Sequence, residues 1–236
     1  MKTRYVLSLL ALAALGYGFY LSGQHPPDAV QGEYVRIINV HVPASWVAFA
    51  AFGGTLLGSL GWLATRRRRF DAFAAASAEV GVFFTALSLL SGMIWGQVTW
   101  GIAWDWGDAR MASTALMFFI YLGYMGLRRG MPDETERAKR SAVIGVLGFL
   151  TVPLSYFSVN LFRSLHQTQS VRPDGWQIES GEIVTSMLIN VAAYTLVYLV
   201  FVTWRTSQGM VPDHPELGSD LAGDAVVAPS LGGRDE

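Results

Sequence analysis

The sequence has no cysteine among its 236 residues, so it forms no disulfide and offers no thiolate to a metal or a substrate. Any thiol redox chemistry coupled to it belongs to another protein. No glycine is followed by lysine, which excludes the phosphate-cradling loop of a self-contained ATP-driven pump. Energy, where it is used, comes from a partner. Charge is scarce too: 15% of residues are Asp, Glu, Lys or Arg, against about a quarter in an average soluble domain. A net charge of -1 gives nucleic acid nothing to bind. What the chain does have is apolar residues, at 52%, gathered in long runs with short polar breaks. That pattern makes the lipid bilayer its main solvent.

Crossing about 30 Å of hydrocarbon takes about 20 apolar residues as a helix. Six segments qualify: Tyr5–Leu21, Val42–Ala64, Ser77–Trp95, Met111–Leu127, Ala142–Leu161 and Ile183–Trp204. They predict one all-α, six-helix transmembrane domain over residues 1–205. Lys2 and Arg4 ahead of an apolar stretch also fit a secretory signal, but the stretch is long for a signal core and lacks a clear A-x-A site. The basic residues set the orientation, because cytoplasmic loops are enriched in them. One face takes 12 of the 17 Lys and Arg, including Arg66–Arg69, Arg128, Arg129, Arg137, Lys139, Arg140 and Arg205. The other takes four, Arg36, Arg110, Arg163 and Arg172. Both termini are therefore expected in the cytoplasm. Residues 206–236, rich in Gly, Pro, Asp and Ala, have little to bury and are expected to be disordered, with His214 solvated. Gly54 and Gly58 suit close helix packing, and Pro153 is expected to kink the fifth helix.

The outer loops carry the unusual residues. Trp95, Trp100, Trp104 and Trp106 place four of the eight tryptophans within twelve residues, with glycines at 96, 101 and 107. An interfacial aromatic belt spreads its rings over many helix ends, whereas this cluster suits a flat apolar ligand. His41, in Ile38-Asn-Val-His-Val-Pro43, is placed at or just before a helix start, because proline suits the first helical turn. His166 follows the fifth span in Arg163-Ser-Leu-His-Gln167, and His25, beside Pro26 and Pro27, is read as solvated. Imidazole is the commonest metal ligand, and haem iron takes one or two axial nitrogens, so His41 and His166 suit opposite faces of a haem. Zinc, with Asp105 or Asp108 completing its ligands, stays open as a weaker fit. Indole faces suit a porphyrin, and the guanidinium groups of Arg36 and Arg110 suit its carboxylates. Arg110 equally fits an anchor at the headgroup level.

Together these features resemble the CcmC family of haem-handling proteins in cytochrome c maturation. The likeness rests on six spans, the segment Arg36-Ile-Ile-Asn-Val-His-Val-Pro-Ala-Ser-Trp46, the Trp loop with Asp108-Ala-Arg110, and Leu165-His-Gln167. It implies that His41 and His166 are the axial ligands of a b-type haem on the periplasmic face of the bacterial inner membrane. The loop from Trp95 through Trp100, Trp104 and Trp106 to Asp108 would be its bed. It implies delivery to the haem chaperone CcmE, beside the transporter subunits CcmA and CcmB and the small membrane protein CcmD, with ATP hydrolysis by CcmA releasing the loaded chaperone. The family loop reads close to W-G-x-W-W-x-W-D-x-R; here Ala103 stands in a tryptophan position and Gly107 separates Trp106 from Asp108. No acid, base or nucleophile set stands beside the ligands, so the chain is read as a binding and delivery protein rather than an enzyme. A permease subunit of an ABC-type transporter is the alternative; against it, Asn190 is the clearest polar residue deep in a span, and midplane ionisable groups are few. A purely structural scaffold leaves the tryptophans without a purpose.

Overall fold

A computed structural model describes residues 2–167, 171–172, 175–176 and 180–210. Seven α-helices make up nearly all of it: α1 (Lys2–Gly23), α2 (Ile38–Thr65), α3 (Arg68–Trp100), α4 (Ala109–Gly130), α5 (Glu134–Gly148), α6 (Thr151–Leu161) and α7 (Gly181–Gly209). A single 3₁₀ stretch, Glu33–Ile37, leads into α2. Among the described residues, the exception to an all-helical chain is a hairpin of β1 (Val171–Arg172) and β2 (Gly175–Trp176), paired antiparallel with Val171 opposite Trp176. Residues 211–236, with His214, lie outside the described residues.

Among the described residues, five segments are long and apolar enough to cross a bilayer: Tyr5–Gly23, Glu33–Thr65, Arg68–Trp100, Glu134–Leu161 and Gly181–Gly209. The expected fourth span, now α4, falls short on composition, with Arg110 in its first turn and Arg128 and Arg129 in its last. Its 22 residues nevertheless reach about 33 Å at about 1.5 Å per residue, a full hydrocarbon thickness.

Most helices outrun their apolar stretches. Helix α3 starts at Arg68 because Ala72, Ala74, Ala75 and Ala76 favour helix without needing lipid, and it continues past Trp95 until Gly101 takes a left-handed φ of 72°. Asp133 caps α5 by accepting the Glu136 N–H at 2.7 Å, so the charged turn before Ala142 is helical. Helix α7 likewise runs to Gly209 rather than ending near Arg205. Pro153 acts as expected. It cannot donate to the carbonyl of Phe149, the helix is interrupted at Phe149 and Leu150, and that carbonyl accepts the Val152 N–H at 2.9 Å instead.

Helices α2, α3 and α7 form the centre, around Ala44, Val47, Ala51, Val80, Tyr194 and Tyr198. Small residues permit the close approach. A Cβ on Gly58 would sit 2.8 Å from the carbonyl oxygen of Phe70, and one on Gly54 would strike Tyr198 and Ser77. This is the packing role expected of that pair. The two ends of the bundle differ in the side chains they bring together. At one, Arg128 forks onto Asp71 and Arg205 onto Glu79. At the other, His41 and His166 meet.

Candidate functional site

His41 lies inside the first turn of α2, which begins at Ile38, not at or before the helix start. The preceding 3₁₀ stretch already holds the chain in a helical path, and Pro43 costs only a bond to Asn39 near the helix start. The ring packs against α3. Its Nδ1 lies 3.0 Å from the carbonyl oxygen of Ser88 and 3.3 Å from Ser91 Oγ. A carbonyl only accepts, so the Nδ1 carries the proton and donates, and Nε2 keeps its lone pair. Ser45 Oγ, 2.6 Å from Ser88 Oγ and donating to the His41 carbonyl at 2.8 Å, ties the two helices at this level.

Gly92 makes room for the ring. A Cβ there would lie 2.8 Å from His41 Cε1 and 3.2 Å from Nδ1. Gly92→Ala is therefore expected to push the imidazole off its Ser88 carbonyl while leaving the fold intact. Loss of an orienting partner costs a metal-bound histidine roughly 10- to 100-fold in affinity. Haem titration of the purified variant measures it, and unchanged affinity would mean that the ring does not need this seat.

His166 reaches the same place from the chain after α6. Its Nδ1 lies 3.2 Å from Asp108 Oδ1. The Asp108 side chain is wholly inaccessible, and its carboxylate also accepts the Met111 N–H at 2.9 Å, the Ser164 hydroxyl at 2.7 Å and the Leu165 N–H at 2.6 Å. Asp108 thus caps α4 and pins the His166 segment with the same two oxygens. Burial pushes the carboxyl up, but the bonds from Met111, Ser164 and Leu165, with His166 nearby, prevail and hold it below the usual range. For His166, burial outweighs the pull of Asp108 and lowers the imidazole from its ordinary value. The ring is therefore neutral near pH 7, with Nδ1–H donated to Asp108 and Nε2 free.

Both histidines line one cleft of about 640 Å³, counted to its open mouth, with Trp104, Ala103, Arg110 and Met111 also in its walls. Two cleft donors have no partner: Trp104 Nε1 and Arg110 Nε are buried without hydrogen bonds. Arg110 also donates to the Tyr156 carbonyl at 3.1 Å. Two free imidazole nitrogens, an indole wall and a guanidinium with its Nε–H unpaired form a donor set that fits a haem with an acidic edge.

The other expected site residues sit around the cleft rather than in its walls. Trp95 and Trp100 stand on the last turns of α3, because that helix runs on to Trp100. Each meets one histidine edge-on: Trp95 lies 5.9 Å from His41 and Trp100 4.7 Å from His166 between ring centroids. Trp95 also donates to Gln31 Oε1 at 2.6 Å. Trp106, 69% exposed, packs on Trp104 at 5.0 Å. Arg36 is held by Glu33 and by the carbonyl of His25. His25 is buried, not solvated, with Nε2 2.6 Å from Ser186 Oγ, since the turn after α1 folds it against α7. The altered spacing in the loop has a use: Ala103 opens cleft wall, and Gly107 donates to Asp105 Oδ1 at 2.8 Å, closing the turn that delivers Asp108. With Asp105 and Asp108 so engaged, no group of three metal-binding side chains occurs among the described residues, and the zinc reading loses its ligands.

Asn190 is fully buried and donates to Ser22 Oγ at 3.2 Å and to the Ser186 carbonyl at 2.9 Å, tying α1 to α7. Ser88, Ser91 and Gly92 escaped sequence reading. Their only signal is a spacing of three and four residues on the helix before the Trp cluster, which any packed helix shows.

The family model of CcmC, heme exporter protein C, matches residues 1–215. A heme exporter protein C of Bradyrhizobium diazoefficiens is 36% identical over 200 residues, covering 84% of this chain and 76% of the relative. One of Paracoccus denitrificans is 34% identical over 183 residues, covering 77% and 75%. A putative cytochrome c biosynthesis ccmC-like mitochondrial protein of Marchantia polymorpha is 33% identical over 177 residues, covering 75% of each.

Proposed function

This chain belongs to the heme exporter protein C family, CcmC, and we propose that it holds haem b in the cleft between His41 and His166, with the two imidazoles as axial ligands. Membership of the family gives it a role in handling haem for cytochrome c maturation. The observation that carries the finer reading is the shared tautomer. Each histidine gives its Nδ1–H to an oxygen of the protein and turns an unprotonated Nε2 loose beside one cleft. Trp104 offers an apolar wall to the ring, and Arg110 takes a haem carboxylate. Iron porphyrin itself supplies the colour and redox chemistry; the residues here bind, orient and shield it.

In this reading the chain hands its haem to CcmE, with CcmA, CcmB and CcmD as companions, and it needs no catalytic group of its own. A permease has less support, since Asn190 serves as a helix tie and Glu79 is gripped by Arg205 at 2.7 and 2.6 Å. The test is the visible spectrum of the purified protein. Low-spin, six-coordinate b-type haem is expected; protein that is haem-free and cannot be reconstituted would overturn the reading.

We place the cleft on the periplasmic side of the inner membrane, with six crossings and cytoplasmic termini, from the distribution of basic residues. Reporter fusions after Arg69 and Arg140 are expected to report cytoplasm, and those at Gly107 and Gln169 the outer compartment. The reverse pattern would put the cleft inside and remove the periplasmic delivery step.

A further inference from the structure

The end of the bundle opposite the histidine cleft holds a second cavity that haem binding leaves unused. It measures about 1600 Å³ to its open mouth and is walled by the ends of α2, α3, α4, α5 and α7. Arg66, Arg68, Arg128, Arg129, Arg137 and Arg205 line it against three carboxylates, Asp71, Glu79 and Glu134, a surplus of three positive charges. The carboxylates are committed. Arg128 forks onto both oxygens of Asp71, and Arg205 onto both of Glu79. Glu134 is shared at 3.4 Å with Arg68 and 3.8 Å with Arg137. Arg137 Nε is buried without a hydrogen-bond partner, and Arg129 pairs with no carboxylate among the described residues. Arg66 lies 4.5 Å over the ring of Trp62, a pairing typical of the depth where indole and guanidinium meet lipid headgroups.

We propose that this vestibule binds the phosphate of an anionic phospholipid headgroup. Arg66 and Arg129 supply charge that no carboxylate cancels, Arg68 and Arg137 share the one charge of Glu134, and the Asp71 and Glu79 pairs hold Arg128 and Arg205 as fixed walls. Guanidinium forks match phosphate oxygens two at a time, and basic pockets between membrane helices at headgroup depth suit such lipids. Because five helix ends meet here, a bound headgroup also ties α5 to the α2–α3–α7 centre. This proposal is independent of the haem assignment.

The test uses the full-length protein in neutral detergent, titrated with phosphatidylglycerol, phosphatidylcholine or inorganic phosphate and read by native mass spectrometry and thermal unfolding. Phosphatidylglycerol is expected to stay bound and raise the unfolding temperature, phosphatidylcholine to do neither, and millimolar phosphate to leave the lipid in place. Each lost arginine should weaken binding about fivefold, so Arg66→Gln with Arg129→Gln costs about 25-fold. Neither residue belongs to an ion pair described above, and Arg137→Gln provides a separate fivefold check should the double variant fail to fold. Equal retention of the two lipids, or variants that bind like the wild type, would overturn the site. Displacement of the lipid by phosphate would overturn the lipid as its ligand and leave a soluble phosphate site.

Discussion

Replacing His41 or His166 by alanine is expected to turn the low-spin, six-coordinate spectrum of the purified protein into a five-coordinate, high-spin one, with haem lost on dilution or gel filtration. Losing only the outer-shell partner of a metal-bound histidine costs roughly 10- to 100-fold in affinity, so losing the ligand itself should cost at least about 100-fold. The variants test more than ligation. His41 is seated in a rigid helix pair by the Ser88 carbonyl, whereas His166 lies beyond the end of α6 and depends on Asp108. In His166→Ala the iron keeps a ligand fixed to the helix bundle; in His41→Ala it hangs from the loop. Added imidazole should restore the low-spin spectrum in both and raise affinity more in His166→Ala, because the remaining ligand there is better placed. A low-spin spectrum in both variants without imidazole would sink the bis-histidine assignment.

Much of this was legible in the chain, and the failures share a cause. Apolar runs located the helices because lipid demands them, yet the ends at Arg68, Trp100, Glu134 and Gly209 ran past those runs. A helix stops at a cap or a left-handed residue such as Gly101, not where its hydrophobicity stops. The two histidines could be paired from their faces alone, since topology brings alternate helix ends together. What encloses them could not. Gly92 matters only because α3 passes one imidazole ring away from α2, and His25 is buried only because the α1 turn folds onto Ser186. Asp108 was expected to meet the haem and instead sits behind His166, since its position before α4 makes it the helix cap. A residue's neighbours in sequence suggest its chemistry; its neighbours in space decide which atom is left to use it.

Asp108→Asn is expected to cost about 10- to 100-fold in haem affinity and to raise the haem midpoint potential, although Asp108 lies behind the imidazole. Asparagine keeps one oxygen for the Met111 N–H and so preserves the cap of α4. Its NH₂ group, however, would face the Leu165 N–H, which now donates to Asp108 Oδ2 at 2.6 Å, and two N–H donors cannot satisfy each other; the Ser164 hydroxyl, which now donates at 2.7 Å, would have to turn and accept. The segment should loosen, and the His166 Nδ1–H, which points at the same oxygen as the Met111 N–H, should be left with a neutral amide acceptor in place of a carboxylate. Removing the negative charge also makes the ligand less electron-rich, which favours the reduced iron. A merely structural residue would move affinity without moving the potential.

The same pair sets a pH dependence. The imidazole of His166 is depressed in the folded chain, so the unfolded state takes up its proton first. The stability it contributes is present above pH 6.5, the ordinary imidazole value, and is lost as the pH falls from there toward the folded value. Asp108, also depressed, adds stability that is lost only in acid, as the pH drops below 3.8. Asp108 holds the His166 proton affinity up, so Asp108→Asn should depress it further and extend the His166 loss to lower pH. It should also abolish the loss below 3.8. Thermal unfolding of the haem-free protein from pH 8 to pH 3 separates the two. Wild-type haem affinity and potential in Asp108→Asn, with an unchanged unfolding profile, would show that the carboxylate neither orients nor charges the ligand.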